Sequence, residues 1–227
     1  MSLIEHREGI EAGRLDMFVD GVFAFTLTLL VIGGGEIPNS SEKLVRMLGG
    51  IPAFAVCFVQ IAYFWHGHVR WRRHCLASDG PGLWLSLMLV FFALIFVYPL
   101  HMVFAGAFSA LSGGWLPSPF ELHSEAELRT LFVCYGLSYT CMAGTLTLLF
   151  RHAARRALRA GFNGLHERRE ALGWMVPAAV GLISTITALL LPLSLPSWLL
   201  ALPGYMYMLL FLIGPVTARF NRRHGLA

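Results

Sequence analysis

The sequence RLDMFVDGVFAFTLTLLVI, residues 14–32, decides how the rest of the chain is interpreted. It is an apolar stretch of about 20 residues, which is the length that a helix needs to cross a bilayer. It begins with charges and keeps a carboxylate, Asp20, within the apolar run. An ionisable group in hydrocarbon is costly, so it normally faces protein or water and has a function. We interpret this stretch as a retained first helix rather than a signal peptide, because Asp16 and Asp20 interrupt it.

The composition is that of an integral membrane protein. Hydrophobic residues make up 56% of the chain and charged residues 13%, with a mean hydropathy of +0.65. We predict an all-α bundle that forms one domain over residues 1–227. Its six spans are expected at about residues 14–32, 44–66, 83–104, 128–150, 172–191 and 198–218. The net charge of +4 is explained by membrane topology, and no nucleic-acid partner is expected.

The distribution of basic residues predicts the orientation. If six spans alternate with both termini in the cytoplasm, all 17 Lys and Arg residues except Lys43, Arg46 and Arg129 lie on the cytoplasmic side. Basic residues in short loops close to the spans favour that side of the membrane. The sequence therefore predicts a multi-pass protein of the inner cell membrane, with membrane lipid as a partner.

Cysteine and histidine spacing favours neither a disulfide nor a metal site. Cys57, Cys75, Cys134 and Cys141 form no CxxC motif or zinc-type Cys/His pair. Paired carboxylates or a nucleophile constellation at one membrane face are also lacking in the sequence, which disfavours an enzyme. No cofactor is expected.

Helical geometry separates two features of the first span. Phe25, Leu29 and Ile32 fall on one narrow stripe, with Thr28 at its edge, and Arg14 and Phe18 extend that stripe towards the cytoplasm. Asp20 lies about 140° away from Phe25 around the helix. Periodicity alone leaves two interpretations open for each feature: the stripe is ordinary packing or a pore lining, and Asp20 is a structural anchor or an ion ligand.

The first half of the chain resembles the bacterial transmembrane protein 175 family. Arg14, Phe18 and Asp20 match its R-x-x-x-F-S-D motif, and the following residues, up to Val31, continue the likeness. Further matches are Phe64-Trp65-x-x-His68 in the second span and Leu83-Trp84-Leu85-Ser86 with Pro99 in the third. Together these matches cover roughly the first 105 residues.

The resemblance implies a homotetrameric, potassium-permeable cation channel in which the first helix of each subunit lines the pore. The constriction is then a hydrophobic ring at Phe25, with Leu29 and Ile32 as further layers and Thr28 bearing on ion preference. A polar network holds the first helix in place, and its members are Arg14, Phe18, Asp20, Trp65, His68 and Ser86. No carbonyl filter such as Thr-Val-Gly-Tyr-Gly occurs in the sequence.

Three positions depart from the family pattern. Val19 replaces the motif serine, Phe25 replaces the usual Ile or Leu of the constriction, and Ser86 stands where Asn is common. Four phenyl rings narrow a pore and favour dewetting, which predicts weak conductance, different gating or a closed resting state.

A proton-coupled transporter of small solutes is the main competing hypothesis. It is motivated by Asp20 and by His66 and His68, since imidazole titrates near neutrality. The lack of inverted repeats and of paired unwound helices argues against it. The arginine-rich connector over residues 151–169 is explained by topology, and lipid binding there is the alternative.

Overall fold

The computed structural model describes residues 3–32, 39–75, 79–118, 120 and 124–226, and every regular element within these ranges is a helix. The long helices are α1 (Leu3–Ile32), α3 (Ile51–His74), α4 (Gly80–Leu111), α5 (Glu125–Arg159) and α6 (Leu165–Leu190). A short helix, α2 (Ser41–Leu48), precedes α3. The predicted all-α class is therefore confirmed for the described part of the chain.

The predicted second span is divided at its start. The Ser40 hydroxyl accepts a hydrogen bond from the backbone N–H of Lys43 at 3.2 Å and caps α2. Helix α2 ends at Leu48 with Gly49 as its C-cap, and α3 begins after Gly50 with Pro52 in its first turn. The two helices are bent by 48° relative to each other. Two consecutive glycines and a proline explain why the helix breaks at this point.

Aromatic rings from four helices form the centre of the bundle. Phe64 of α3 is fully buried, and its ring centroid lies 5.9 Å from that of Phe96 on α4. The same ring lies 5.3 Å from Tyr139 on α5 and 5.7 Å from Trp174 on α6. These separations are typical of favourable aromatic pairs, so one side chain links four helices.

Helices α5 and α6 make the most extensive contact and cross at two glycines. A Cβ atom added to Gly136 would lie 2.4 Å from the Thr185 hydroxyl, and one added to Gly181 would lie 2.6 Å from the Thr140 hydroxyl. Small residues at such a crossing let the two backbones approach closely, as is common between membrane helices.

The last predicted span, residues 198–218, is divided rather than continuous. It comprises α7 (Ser197–Leu200), α8 (Leu202–Tyr205), a 3₁₀ segment (Met206–Leu212) and α9 (Ile213–His224). Pro203 and Pro215 cannot donate helical hydrogen bonds, and each is adjacent to a glycine. Strong overall apolarity predicted one helix here, but these residues interrupt the backbone ladder.

Three helices of the described chain, α4, α5 and α6, are long and apolar enough to cross a membrane. The bent pair of α2 and α3 is a fourth span if the pair crosses together. The chain is thus a helical protein with several apolar helices of membrane-spanning length. The further spans predicted at residues 14–32 and 198–218 stay predictions.

Candidate functional site

Between Gly13 and Val31, helix α1 has one packed side and one open side. Its packed side contacts α3 and α4 through five buried residues that recur every three or four positions: Leu15, Val19, Phe23, Thr26 and Leu30. The open side carries exposed residues at the same spacing: Arg14, Met17, Phe18, Gly21, Ala24, Phe25, Thr28 and Val31. The chain therefore leaves a continuous face of α1 uncovered between Arg14 and Val31.

The predicted constriction residues occupy different parts of this helix. Phe25 is 55% exposed and lies on the open face. Leu29 is half-buried and packs against the core, so it lies at the edge of that face. The side chain of Ile32 lies outside the described residues. At about 100° per residue, Gly21 and Thr28 lie closest to the middle of the open face, about 40° to 60° from Phe25.

Thr28 is exposed on the open face. Its hydroxyl donates a hydrogen bond to the Ala24 carbonyl oxygen at 3.1 Å, one turn earlier in α1. This bond uses the hydroxyl hydrogen and leaves the oxygen available as an acceptor. The arrangement places an acceptor oxygen one turn beyond Phe25.

Asp20 is hydrogen-bonded to α3. The indole nitrogen of Trp65 donates to the Asp20 carboxylate at 2.8 Å. Asp20 lies at the edge of the open face, on the opposite side from Leu29. This geometry joins two residues of the predicted polar network and gives the Asp20 carboxylate a hydrogen-bond partner.

His68 and Ser86 form a second pair, between α3 and α4. The His68 Nε2 and Ser86 Oγ atoms are 3.0 Å apart, and both side chains are buried, at 2% and 0% exposure. Arg14 and Phe18 lie elsewhere, on the open face of α1, where they line a cavity beside the start of α4. The structure thus brings the predicted residues together as two separate pairs.

An ion pair between Asp16 and Arg72 was missed by sequence reasoning. The carboxylate of Asp16 lies 2.6 Å from the Arg72 Nε atom, and Arg72 also donates to the Cys75 carbonyl oxygen at 2.7 Å. Asp16 precedes Asp20 by four residues, so both acids face α3 from consecutive turns of α1. That i, i+4 spacing was visible in the sequence, and the partner on α3 was not.

A second polar cluster joins the start of α4 to α5. The Asp79 carboxylate accepts a hydrogen bond from the Gly82 N–H at 3.0 Å and lies 2.5 Å from His152 Nε2 and 3.2 Å from Arg156 Nη1. Burial alone would raise the pKa of Asp79, but these hydrogen bonds and the Arg156 charge bring it below its ordinary value. Asp79 is therefore both a helix cap and an inter-helix anchor.

An ion pair and a hydrogen bond connect α3 to α6. Glu170 pairs with Arg70 and lies 3.4 Å from Arg169, while Glu167 lies 3.2 Å from His74 Nδ1. Within the described ranges, no group of three or more His, Cys, Asp or Glu side chains is placed to hold a metal ion. The polar chemistry near this end of the bundle is therefore that of helix anchoring.

Comparison with known proteins relates the first half of the chain to a channel family. Residues 14–99 match the model of a family described as the endosomal/lysosomal potassium channel TMEM175. The matched range contains Arg14, Phe18 and Asp20, so the resemblance predicted from this motif is confirmed.

Curated relatives extend the likeness along the chain. A protein of Marivirga tractuosa named potassium channel is 26% identical over 232 residues, which cover 95% of this chain and 91% of the relative. A protein of Chamaesiphon minutus, also named potassium channel, is 32% identical over 135 residues, or 48% of this chain and 65% of that one.

A solved structure has the same fold. It is the crystal structure of a variant of the potassium channel MtTMEM175 in complex with a nanobody–MBP fusion protein. Its TM-score is 0.76 at 24% identity, and the match covers 94% of each chain. The arrangement of helices is therefore shared over nearly the whole length.

Proposed function

We propose that this protein, a member of the transmembrane protein 175 family by its residues 14–99, is a potassium-permeable cation channel formed by four copies of the chain. Residues 1–227 form a single transmembrane domain with six spans and cytoplasmic termini in the inner cell membrane. The names of the curated relatives and the distribution of the basic residues support this proposal.

The observation that carries the proposal is the open face of α1. A helix of 30 residues packs one side into its own subunit and leaves the other side uncovered from Arg14 to Val31. This face combines bulky apolar side chains with Gly21, Ala24 and Thr28. Small residues permit close approach by a neighbouring helix, and bulky ones fill the space around a shared axis. Four copies of α1 around such an axis would enclose a pore.

Phe25 is the proposed constriction of this pore. Its side chain extends from the open face, and four phenyl groups at one level would form an apolar ring that gates by excluding water. Thr28 would present its hydroxyl oxygen to a dehydrating cation near the ring, and Leu29 and Ile32 would form further apolar layers. The Asp20–Trp65 and Asp16–Arg72 contacts would hold α1 against α3 while the open face serves the pore.

Potassium flux into liposomes tests the constriction. We expect Phe25→Ala to raise the flux severalfold over the wild type, because a methyl group cannot close the ring. Phe91→Ala is the matched control, since Phe91 on α4 is 58% exposed, close to the 55% of Phe25. We expect the control to leave flux unchanged. Equal effects of the two substitutions would refute the constriction at Phe25, and a wild type and Phe25→Ala that both fail to conduct would refute the channel.

A further inference from the structure

Helix α5 exposes one stripe of its surface. Between residues 131 and 155, the exposed positions are Cys134, Leu137, Leu148, Arg151 and Arg155. At about 100° per residue, all of them fall within a sector of about 100° around the helix. Gly144 lies in the same sector, and a Cβ atom added there would meet nothing within 4 Å. The described chain therefore leaves this stripe uncovered from its apolar part to its basic part.

The stripe changes from apolar to basic where the apolar run of α5 ends. Leu137 and Leu148 are 53% and 50% exposed, and α5 is long and apolar enough to cross a membrane. Arg151 follows Arg129, the preceding basic residue, by 22 residues, which is about 33 Å along an α-helix. This length is close to the hydrocarbon thickness of about 30 Å. In the proposed topology, Arg151 and Arg155 then lie one turn apart in the headgroup layer of the cytoplasmic side.

The arginines of the stripe differ from neighbouring arginines in their partners. Arg156 lies about 100° around α5 from Arg155 and pairs with Asp79 at 3.2 Å. Carboxylates of α1 and α6 pair with arginines of α3. Among the described residues, no carboxylate is within ion-pair distance of Arg151 or Arg155. The bundle is thus held together by other arginines, while these two point away from it.

We propose that Arg151 and Arg155 bind the headgroup of an anionic phospholipid in the inner leaflet, with an acyl chain along Leu148 and Gly144. Charge complementarity selects the anionic head, because guanidinium groups bind phosphate through paired hydrogen bonds. The apolar part of the same stripe suits the hydrocarbon tail. The choice of leaflet rests on the proposed topology, whereas binding does not depend on channel activity.

Photolabelling of the full chain in liposomes tests the site. Two probes at equal mole fraction carry the same diazirine in one acyl chain, one with a phosphatidylglycerol head and the other with a phosphatidylcholine head. Mass spectrometry measures the label on residues 134–150. Each basic residue near the membrane surface contributes about fivefold, so we expect the phosphatidylglycerol probe to label this segment up to about thirtyfold more. Arg151→Gln should lower this preference about fivefold, and Arg151→Gln with Arg155→Gln should abolish it.

Matched variants separate a lipid site from misfolding and from general charge effects. Unchanged labelling by the phosphatidylcholine probe shows that the double Gln variant keeps its fold, and Arg151→Lys with Arg155→Lys should keep most of the preference. Arg222→Gln with Arg223→Gln removes the same charge from exposed residues of α9 and should leave the preference unchanged. An equal loss in this control would show diffuse attraction and overturn the site. A preference that survives in the double Gln variant would also overturn it.

Two further outcomes would assign the stripe to another occupant and overturn the proposal. Displacement of the phosphatidylglycerol label by excess inorganic phosphate would identify a soluble anion as the ligand. Crosslinking of residues 134–150 to a second copy of the chain in place of lipid would identify a protein interface. Potassium flux measured on the same liposomes reports separately on the channel.

Discussion

Removing the indole donor of Trp65 should loosen the attachment of α1. Trp65→Phe keeps an aromatic ring on α3 but deletes the N–H group that lies 2.8 Å from the Asp20 carboxylate. A hydrogen bond to a charged group contributes about 1.5 to 3 kcal/mol. Trp65 is 38% exposed and Asp20 is also exposed, so solvent screening reduces this to about 1 to 2 kcal/mol. For a chain of this size we expect a lowering of the melting temperature by about 2 to 8 °C.

The assay is the apparent melting temperature of detergent-purified protein, measured at one heating rate because membrane proteins often unfold irreversibly. Trp84→Phe is the control, since Trp84 is 68% exposed on α4, and it should change the melting temperature little. Asp20→Asn should destabilise the wild type more than the Trp65→Phe variant, with a coupling of about 1 kcal/mol. Additive effects of Asp20→Asn and Trp65→Phe, or equal melting-temperature shifts for Trp65→Phe and Trp84→Phe, would refute a stabilising hydrogen bond between Trp65 and Asp20.

Two other predictions concern the bundle away from α1. Gly136→Ala should lower the apparent melting temperature by several degrees, because overpacking at a Cβ 2.4 Å from the Thr185 hydroxyl costs about 1 to 3 kcal/mol. Gly144→Ala on the same helix is the control: a Cβ there meets nothing within 4 Å, so the melting temperature should stay unchanged or rise. Similar falls in melting temperature for both variants would contradict the close crossing of α5 and α6. The lowered pKa of Asp79 stabilises the fold at neutral pH, and this contribution disappears as the pH falls below about 4 and the carboxylate is protonated. Asp79→Asn, which can still cap α4, should therefore show a smaller fall in melting temperature between pH 7 and pH 3 than the wild type, and parallel falls would argue against this role.

The membrane character and the helical class could be predicted from the sequence. The side of α1 that packs against α3 and α4 could not be predicted from the sequence. Val19, Phe23 and Leu30 are buried, but Phe18, Phe25 and Val31 on the open side are equally apolar. In a bilayer both sides meet apolar surroundings, so polarity does not distinguish a side that packs against protein from one that does not.

Side-chain contacts between helices can be predicted from this sequence only where a family motif groups the residues. The resemblance groups six residues in one polar network: Arg14, Phe18, Asp20, Trp65, His68 and Ser86. The structure brings Asp20 to Trp65 and His68 to Ser86, within hydrogen-bond range, and leaves Arg14 and Phe18 apart from both pairs. No motif relates Asp16 to Arg72. The two residues are far apart in the sequence, so their ion pair can be found only once the packing of α1 against α3 is known. Whether any of these residues serves conduction stays a prediction.

The 3₁₀ segment Met206–Leu212 changes how far the last apolar stretch can reach. Residues 202–218 would be about 25 Å long as a regular α-helix. With seven residues at about 2.0 Å each, the same stretch extends to about 29 Å. That length is close to the hydrocarbon thickness of about 30 Å. In the proposed six-span topology, this longer rise per residue would bring the last span close to the bilayer thickness without additional residues.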